Sequence, residues 1–150
     1  MDQQGQFWQS DAQPNADFTL SSNGPDGEAL DADGETVAVA ISVSADLAGD
    51  LHRHLEHRTH KIRSILFVRP TRNLDRHCLR DAGDAVALAD EVKTMMREFA
   101  KRQGAKRVLL YYLGPLSGAC FIGHRLNAVC REVQIMEWSD PKYVPSFTLT

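Results

Sequence analysis

Short apolar runs alternate with amphipathic stretches along the chain from residue 36 onwards. Four of these runs are rich in β-branched and aromatic side chains and are bounded by polar residues, which is typical of buried strands. They occupy residues 37–43, 65–68, 108–113 and 133–138. The stretches between them carry apolar residues three or four positions apart, which predicts amphipathic helices.

The three predicted helices each have one apolar face. Ser44 is placed to cap the first helix at its N-terminus, with Asp46 in the first turn. Asp84 opens the second and longest helix, and Gly104 ends it. The third helix is predicted over residues 116–130. The apolar positions of the three helices are, in order, Leu47, Leu51 and Leu55; Leu88, Val92, Met95 and Phe99; and Ala119, Ile122, Leu126 and Val129.

This alternation of strands and helices predicts an α/β fold, in which a parallel sheet carries helices on both faces. The tail, residues 143–150, has alternating polarity and contains Pro145, so it is predicted to be an edge strand. In a parallel sheet the carboxyl ends of the strands meet at one edge, where open α/β sheets bind their ligands. Residues that follow a predicted strand are therefore the candidates for a binding site.

Residues 1–35 are rich in Gly, Asp, Asn, Ser and Gln. We expect only Phe7, Trp8, Phe18 and Leu20 to be buried there, which is too little for a separate core. The segment is therefore predicted to be a linker or the remnant of a preceding unit. The folded unit is predicted to span residues 36–150.

Composition narrows the class of protein. The chain has 150 residues, of which 43% are hydrophobic, and a net charge of -3. This suits one domain with a core and excludes the overall basic field that long nucleic acids attract. No apolar stretch is long enough to cross a membrane, and no signal peptide is visible, so we expect a cytoplasmic protein. The three cysteines are expected to be reduced.

The turn after residues 108–113 is the first candidate for binding. Gly114 and Pro115 end the strand, and Ser117, Gly118 and Ala119 are small enough to leave the first amides of the next helix accessible. Unpaired amides and the positive end of a helix dipole attract anions such as phosphate. The pattern is neither a Walker loop nor Gly-x-Gly-x-x-Gly. A tight strand-to-helix turn also needs glycine for structural reasons alone.

Other candidates follow the remaining strands. Ser44 supplies a hydroxyl, while Arg69 and Arg72, with Thr71 between them, can hold phosphates or stack on bases. The alternative for either arginine is a surface salt bridge. Lys142 and Tyr143 follow the fourth strand, and Trp138 ends it, where it either stacks a base or covers the core.

Catalytic or metal-binding residues are not evident. Four histidines, His52, His54, His57 and His60, spread around one helix and do not share a face, so a solvated basic helix end is the expectation. His77–Cys78 and Cys120 with His124 can be drawn as pairs of base and nucleophile, but such pairs are recognised by spatial geometry. We therefore predict no catalytic residue, no metal and no cofactor.

Three sequence blocks, in this order, point to a family. They are VAVAISVS at 37–44, GPLSGA at 114–119 with FIGHRLN at 121–127, and VQIMEW at 133–138 with YVPSF at 143–147. From residue 37 to its end the chain resembles the C-terminal half of the SAVED domain. SAVED domains are sensors fused to various effectors in bacterial cyclic-oligonucleotide antiphage systems (CBASS) and in some type III CRISPR systems.

The resemblance implies a Rossmann-like fold of the CARF type. It further implies that two such units lie side by side and bind a cyclic di- or trinucleotide between them. Ligand binding then drives homo-oligomers that activate a linked nuclease, protease or TIR effector. This chain contains one unit, so the second half and the effector lie on the same protein or on another chain. The expected function is that of a sensor and not of an enzyme.

Two alternatives remain open from the sequence. A CARF-type ring nuclease would degrade the cyclic messenger and needs a positioned acid–base group, for which His124 is the histidine nearest to the turn at 114–119. A scaffold subunit without a ligand would instead use Phe7, Trp8 and the tail strand as an interface.

Overall fold

A computed structural model describes residues 7–150. Three helices and one seven-stranded sheet form in the order expected of an α/β protein. The helices are α1 (Ala48–Glu56), α2 (Ala82–Gln103) and α3 (Leu116–His124). The strands are β1 (Leu20–Ser22), β2 (Glu28–Ala29), β3 (Thr36–Ser42), β4 (Ile62–Pro70), β5 (Arg107–Leu113), β6 (Glu132–Ser139) and β7 (Lys142–Leu149).

The centre of the sheet is parallel and its two edges are antiparallel. Strands β4, β3, β5 and β6 lie side by side in that order, all parallel. On one side β1 and β2 pair antiparallel with β4, and on the other β7 pairs antiparallel with β6. The predicted parallel sheet and the edge strand containing Pro145 are both confirmed. The chain adds β4 on one side of β3 and then adds β5 and β6 on the other side, so the strand order reverses between β3 and β5.

Helices cover both faces, as predicted. Helices α2 and α3 pack against one face with the larger part of the core, whereas α1 packs against the other through Leu47, Leu51 and Leu55. Within residues 7–150, α1 is the one helix on its face. It leaves β5, β6 and β7 partly uncovered there, and their exposed surface becomes the floor of a groove.

Part of the N-terminal segment belongs to the sheet. Besides contributing β1 and β2, this segment buries Phe18 in the core on the α2 face, and the edge of the Trp8 ring packs on Phe121. Phe7 was expected to be buried, but its side chain is 81% exposed. That residues 1–35 are a linker or a remnant of a preceding unit stays a prediction, although 20–29 add strands to this sheet.

Two helices begin at residues other than those predicted. Helix α1 starts at Ala48, four residues after Ser44, because the Asp46 carboxylate accepts the Ala48 amide at 2.9 Å and makes the local cap. Helix α2 starts at Ala82, because the Asp81 carboxylate accepts the Asp84 amide at 2.9 Å. Its predicted end is confirmed: Gly104 has the left-handed conformation that glycine adopts most easily.

The third helix is shorter than the predicted span of 116–130. It ends at His124, and Leu126 and Val129 lie in the following loop. Both side chains are nevertheless buried against the core on the α2 face. The apolar spacing therefore reflected burial of a loop, which periodicity alone does not distinguish from a continuing helix.

Candidate functional site

The residues predicted to bind ligand lie at or just after the carboxyl ends of the parallel strands, and we call the part of this rim at β4, β3 and β5 the carboxyl edge. In the order of the sheet the residues lie at the end of β4, after β3, after β5 and, beyond the end of β6, at the start of β7. They are Arg69, Thr71 and Arg72; then Ser44; then Gly114, Pro115, Ser117, Gly118 and Ala119; and finally Lys142 and Tyr143. Their side chains and amides divide into groups with different surroundings.

Ser44 follows β3, at the point where the strand order of the sheet reverses. The amides of Val43 and Ser44 both donate to the Leu113 carbonyl, at 2.8 and 3.1 Å. These bonds join the end of β3 to the end of β5 and bring Ser44 next to the turn that leads into α3. A crevice at such a point is where open α/β sheets bind ligands, because the loops on its two sides run in opposite directions.

The first turn of α3 has free backbone donors. Pro115 is the residue before the helix and offers no side-chain acceptor. Within the described chain, the amides of Leu116, Ser117 and Gly118 have no hydrogen-bond acceptor; Leu116 is exposed, Ser117 is half-buried and Gly118 is buried. Three unpaired amides at the positive end of a helix dipole can hold a phosphate or another anion.

Tyr112 gives this turn its shape. Its hydroxyl donates to the Pro115 carbonyl at 2.8 Å, and the same carbonyl accepts the Ala119 amide at 3.3 Å. A side chain at Gly114 would bring a Cβ within 2.6 Å of the Tyr112 hydroxyl, and one at Gly118 would overlap it. Both glycines are therefore required for packing around Tyr112. Burial raises the pKa of Tyr112, so the phenol is neutral and can donate.

Arg69 borders a small pocket at the other side of β3. The pocket has a volume of about 260 Å³, and Ser42, Asp46 and Asn23 also line it. Arg69 is exposed and forms no ion pair with any residue of the described chain. Its guanidinium is therefore available to a ligand. The Ser42 hydroxyl accepts the Leu47 amide at 3.1 Å and thereby holds the loop that carries Ser44.

Thr71 and Arg72 are already engaged within the protein. The Thr71 hydroxyl lies 2.7 Å from that of Thr19. Arg72 donates to the Asp84 carboxylate at 2.8 Å and lies over the Phe18 ring. For Arg72 the structure shows the salt bridge that the sequence left open, but with a buried partner. We therefore leave both residues out of the proposed contacts.

Asp84 is the centre of this structural cluster. Its side chain is fully buried and also accepts from the Asn15 amide at 2.9 Å and from the Arg80 amide at 3.0 Å. Burial by itself would raise the pKa of Asp84, but the hydrogen bonds from Asn15, Arg80 and Arg72 outweigh it and hold the pKa below its usual value. The carboxylate is thus charged and ties the N-terminal segment to the start of α2.

Lys142 and Tyr143 line a different surface. They lie at the start of β7, opposite Ser139 and Trp138 of β6. Both border a groove of about 730 Å³ between α1 and the strands β5 to β7, the α1-side groove. Helix α3 packs on the opposite face of the sheet. Two residues predicted to border the same site as the turn at 114–119 therefore line a separate cavity.

Three residues that shape the site escaped sequence reasoning. The sequence pattern indicates Tyr112 and Ser42 only as residues of buried strands, and Asp84 only as the start of a helix. A signal existed for Tyr112, because a polar hydroxyl two residues before Gly114 must find a partner when buried. For Asp84 the pairing with Arg72 depends on a fold of the 71–81 loop that no pattern indicates.

The histidines and cysteines show no catalytic arrangement. His124 ends α3, whereas the candidate anion site lies at its beginning. Cys78 is buried, and this burial raises the pKa of its thiol, which is the reverse of activation. Over residues 7–150 no cluster of His, Cys, Asp and Glu has the geometry to hold a metal. None of the described helices is long and apolar enough to span a bilayer.

Comparison with known proteins agrees with the motifs. The family model SAVED, described as "SMODS-associated and fused to various effectors sensor domain", matches residues 1–149. The chain is 28% identical over 124 residues to CD-NTase-associated protein 4 of Acinetobacter sp. (strain ATCC 27244 / 9458), which covers 81% of this chain and 25% of that protein.

Solved structures have the same fold. The Acinetobacter baumannii Cap4 SAVED/CARF-domain containing receptor with the cyclic trinucleotide 3'3'3'-cAAA superposes with a TM-score of 0.72 at 19% identity, covering 98% of this chain and 31% of the receptor. The Moraxella osloensis Cap4 receptor gives 0.59 at 18% identity, covering 93% and 26%. This chain thus spans about a quarter to a third of the length of these relatives. The match to the family model over nearly the whole chain confirms the resemblance found in the sequence: the chain belongs to the SAVED sensor domains.

Proposed function

We propose that this chain is a sensor unit that binds a cyclic oligonucleotide second messenger at its carboxyl edge. A cyclic trinucleotide is the ligand favoured here, because two of the similar receptor structures contain one. The setting would be bacterial antiphage defence of the CBASS type. The function is receptor binding, without chemistry on the ligand.

One observation carries the proposal. Between β3 and β5, where the strand order reverses, Ser44 lies beside the turn that opens α3. The amides at 116–118 have no acceptor within the described residues. Phosphate is the ligand chemistry that suits such donors. A cyclic oligonucleotide presents several phosphates on one ring, so a second phosphate can reach Arg69 on the other side of β3.

The roles of the residues follow from these surroundings. The amides of Ser117, Gly118 and their neighbours hold one phosphate or ribose, and the Ser44 hydroxyl contributes a further hydrogen bond. Gly114 and Pro115 shape the turn, and Ala119 closes the first turn by donating to the Pro115 carbonyl. Arg69 binds a phosphate or stacks on a base.

The remainder of the mechanism concerns partners. A second SAVED unit, on the same or another chain, would complete the pocket, and ligand-induced homo-oligomers would activate a linked nuclease, protease or TIR effector. A ligand shifts such an assembly only by its differential affinity for the oligomerised state. The compartment proposed is the cytoplasm.

Isothermal titration calorimetry with a panel of cyclic di- and trinucleotides tests the proposal. We expect at least one cyclic trinucleotide to bind, and Arg69→Ala to weaken binding by about tenfold, as the loss of one charge-assisted hydrogen bond does. Arg97→Ala is the matched control, because Arg97 is exposed on α2 away from the carboxyl edge. Heat from no member of the panel, with the second SAVED unit also present, would reject the proposal and favour a scaffold.

The ring nuclease is distinguished by its products. Incubating the bound trinucleotide with the protein and separating the mixture by chromatography should return intact ring. Linear products would favour the nuclease. The position of His124 at the far end of α3 from the amides at 116–118 argues against that outcome.

A further inference from the structure

The α1-side groove is a concavity that the proposed function does not use. Its floor is the uncovered part of the sheet, formed by Tyr111, Met136, Trp138 and Tyr143, and its wall is the second half of α1. The volume of about 730 Å³ lies within the range of small-molecule sites, roughly 300 to 1,000 Å³.

Aromatic rings dominate the end of the groove nearest Lys142. The Tyr143 ring meets those of Tyr111 and Trp138 edge to face, each with 5.0 Å between centroids, and His54 meets Tyr143 at 5.7 Å. Trp138 remains 47% exposed, so one side of this cluster is open. A planar ring can stack there as a fourth partner.

A buried hydroxyl at the same place lacks a partner. Tyr111 is fully buried, and in the described structure its hydroxyl makes no hydrogen bond. Buried polar groups are almost always paired, so a water or another small polar group is the partner expected for this hydroxyl. The ring of Tyr111 lines the groove, and the half-buried His54 is its neighbour at 5.9 Å.

The positive charge at the rim of the groove, unpaired within the described residues, indicates that a ligand there carries a negative charge. Lys142 is exposed at the rim, and no residue of the described chain pairs with it. The other cations that line the groove have acidic partners: Arg53 pairs with Asp50, Arg58 with Asp31, and Arg107 with Glu132. Glu56 is the remaining acidic residue of the wall, and it lies with His57 and His60 towards the end of α1. The free cation is thus beside the aromatic cluster.

We propose that the α1-side groove binds a planar aromatic anion of the size of a nucleoside monophosphate. The ring stacks against the exposed side of Trp138, beside Tyr143, and the anionic group pairs with Lys142. The site is separate from the carboxyl edge, and the inference does not depend on the proposed function.

Trp138 itself reports binding. The chain has two tryptophans, so a Trp8→Phe background leaves Trp138 as the one indole. Titration with AMP should quench its fluorescence saturably. Adenosine, which lacks the anion, should bind more weakly, and ribose 5-phosphate, which lacks the ring, should not quench. Equal affinity for all three, or no quenching by AMP, would overturn the inference and leave the groove to a macromolecular partner.

Variants separate this site from the carboxyl edge. Lys142→Ala should weaken AMP binding about tenfold and leave adenosine unaffected, whereas Lys142→Arg should retain the affinity. Arg69→Ala should leave the AMP titration unchanged. An equal loss in Arg69→Ala would place AMP at the carboxyl edge and overturn the inference, and so would Lys142→Ala without effect.

Discussion

The hydroxyl of Tyr112 donates a hydrogen bond to the carbonyl of Pro115 at 2.8 Å and so joins the last strand residues of β5 to the first turn of α3. The carbonyl that precedes the helix is thereby occupied, while the amides at 116–118 stay free of acceptors within residues 7–150. This relationship explains why small residues surround the turn: the tyrosine fills the space in which their side chains would lie.

Gly118→Ala tests this packing. The new methyl group overlaps the Tyr112 hydroxyl and approaches Leu79, so we expect a loss of about 1–3 kcal/mol in the free energy of unfolding, the usual cost of overpacking. Gly123→Ala, in the same helix but with open space around it, should be neutral or stabilising by up to about 1 kcal/mol. Urea denaturation measures both.

A double variant identifies the cause. Because Tyr112→Phe removes the hydroxyl, Gly118→Ala should cost less in that background than in the original chain. Equal costs in the two backgrounds would mean that the tyrosine does not require the glycine.

Acid should weaken the Asp84 cluster. The pKa of Asp84 is lowered in the folded state, so its stabilisation is complete above the ordinary value of 3.8 and is lost as the pH falls through the lower folded value. Asp84→Asn should remove that part of the acid dependence. It should also cost about 2–3 kcal/mol near neutral pH, less than a fully buried pair because Arg72 and Arg80 keep some contact with water.

The measurement is the free energy of unfolding by urea at several values of pH. Asp11→Asn is a suitable control, since Asp11 is exposed. An Asp84→Asn variant as stable as the original chain would contradict a structural role for the cluster.

The two arginines that were predicted together should behave differently. Arg72→Ala removes a partner of the buried Asp84 and the contact with Phe18, so it should lower stability by about 1–3 kcal/mol. Arg69→Ala should change stability by no more than about 0.5 kcal/mol, because the side chain is exposed and unpaired in the described structure. Thermal unfolding compares the stabilities of the two variants. A larger loss in Arg69→Ala than in Arg72→Ala would contradict the structural role assigned to Arg72.

His54 should titrate below its ordinary pKa of 6.5. Burial lowers the pKa of His54, and the charge of Lys142 lowers it further. Lys142→Ala should therefore raise this pKa while leaving it below 6.5, and Lys93→Ala on α2 should not move it. Proton NMR of the imidazole measures both. An unchanged His54 pKa in Lys142→Ala would contradict the proximity of the two groups.

Pattern and sequence chemistry anticipated most of the fold. The predicted runs at 37–43, 108–113 and 133–138 fall on β3, β5 and β6, with Val43 just past the end of β3, because buried parallel strands need continuous apolar runs. Gly104 ends α2 because it takes a left-handed conformation. The helix starts were misplaced because Ser44, Asp46, Asp81 and Asp84 are all chemically able to cap, and only tertiary structure selects among them.

The candidate site could likewise be predicted only in part, because the sequence indicates topology but not tertiary packing. Topology alone brings Ser44 to the turn at 114–119, because both follow neighbouring parallel strands. The engagement of Arg72 by Asp84 and the separation of Lys142 from that turn depend on how the 71–81 loop and α1 pack. Such contacts join residues far apart in sequence and leave no local pattern.

The most direct test of the account is an NMR titration of the ¹⁵N-labelled chain with the cyclic trinucleotide 3'3'3'-cAAA up to millimolar concentration. We expect the largest chemical-shift changes at the backbone amides of Ser44, Ser117 and Gly118 and at the Arg69 side chain, with small changes at Arg97 on α2. No change at the highest concentration, or changes centred away from the carboxyl edge, would contradict the claim that this edge is the sensor's binding site.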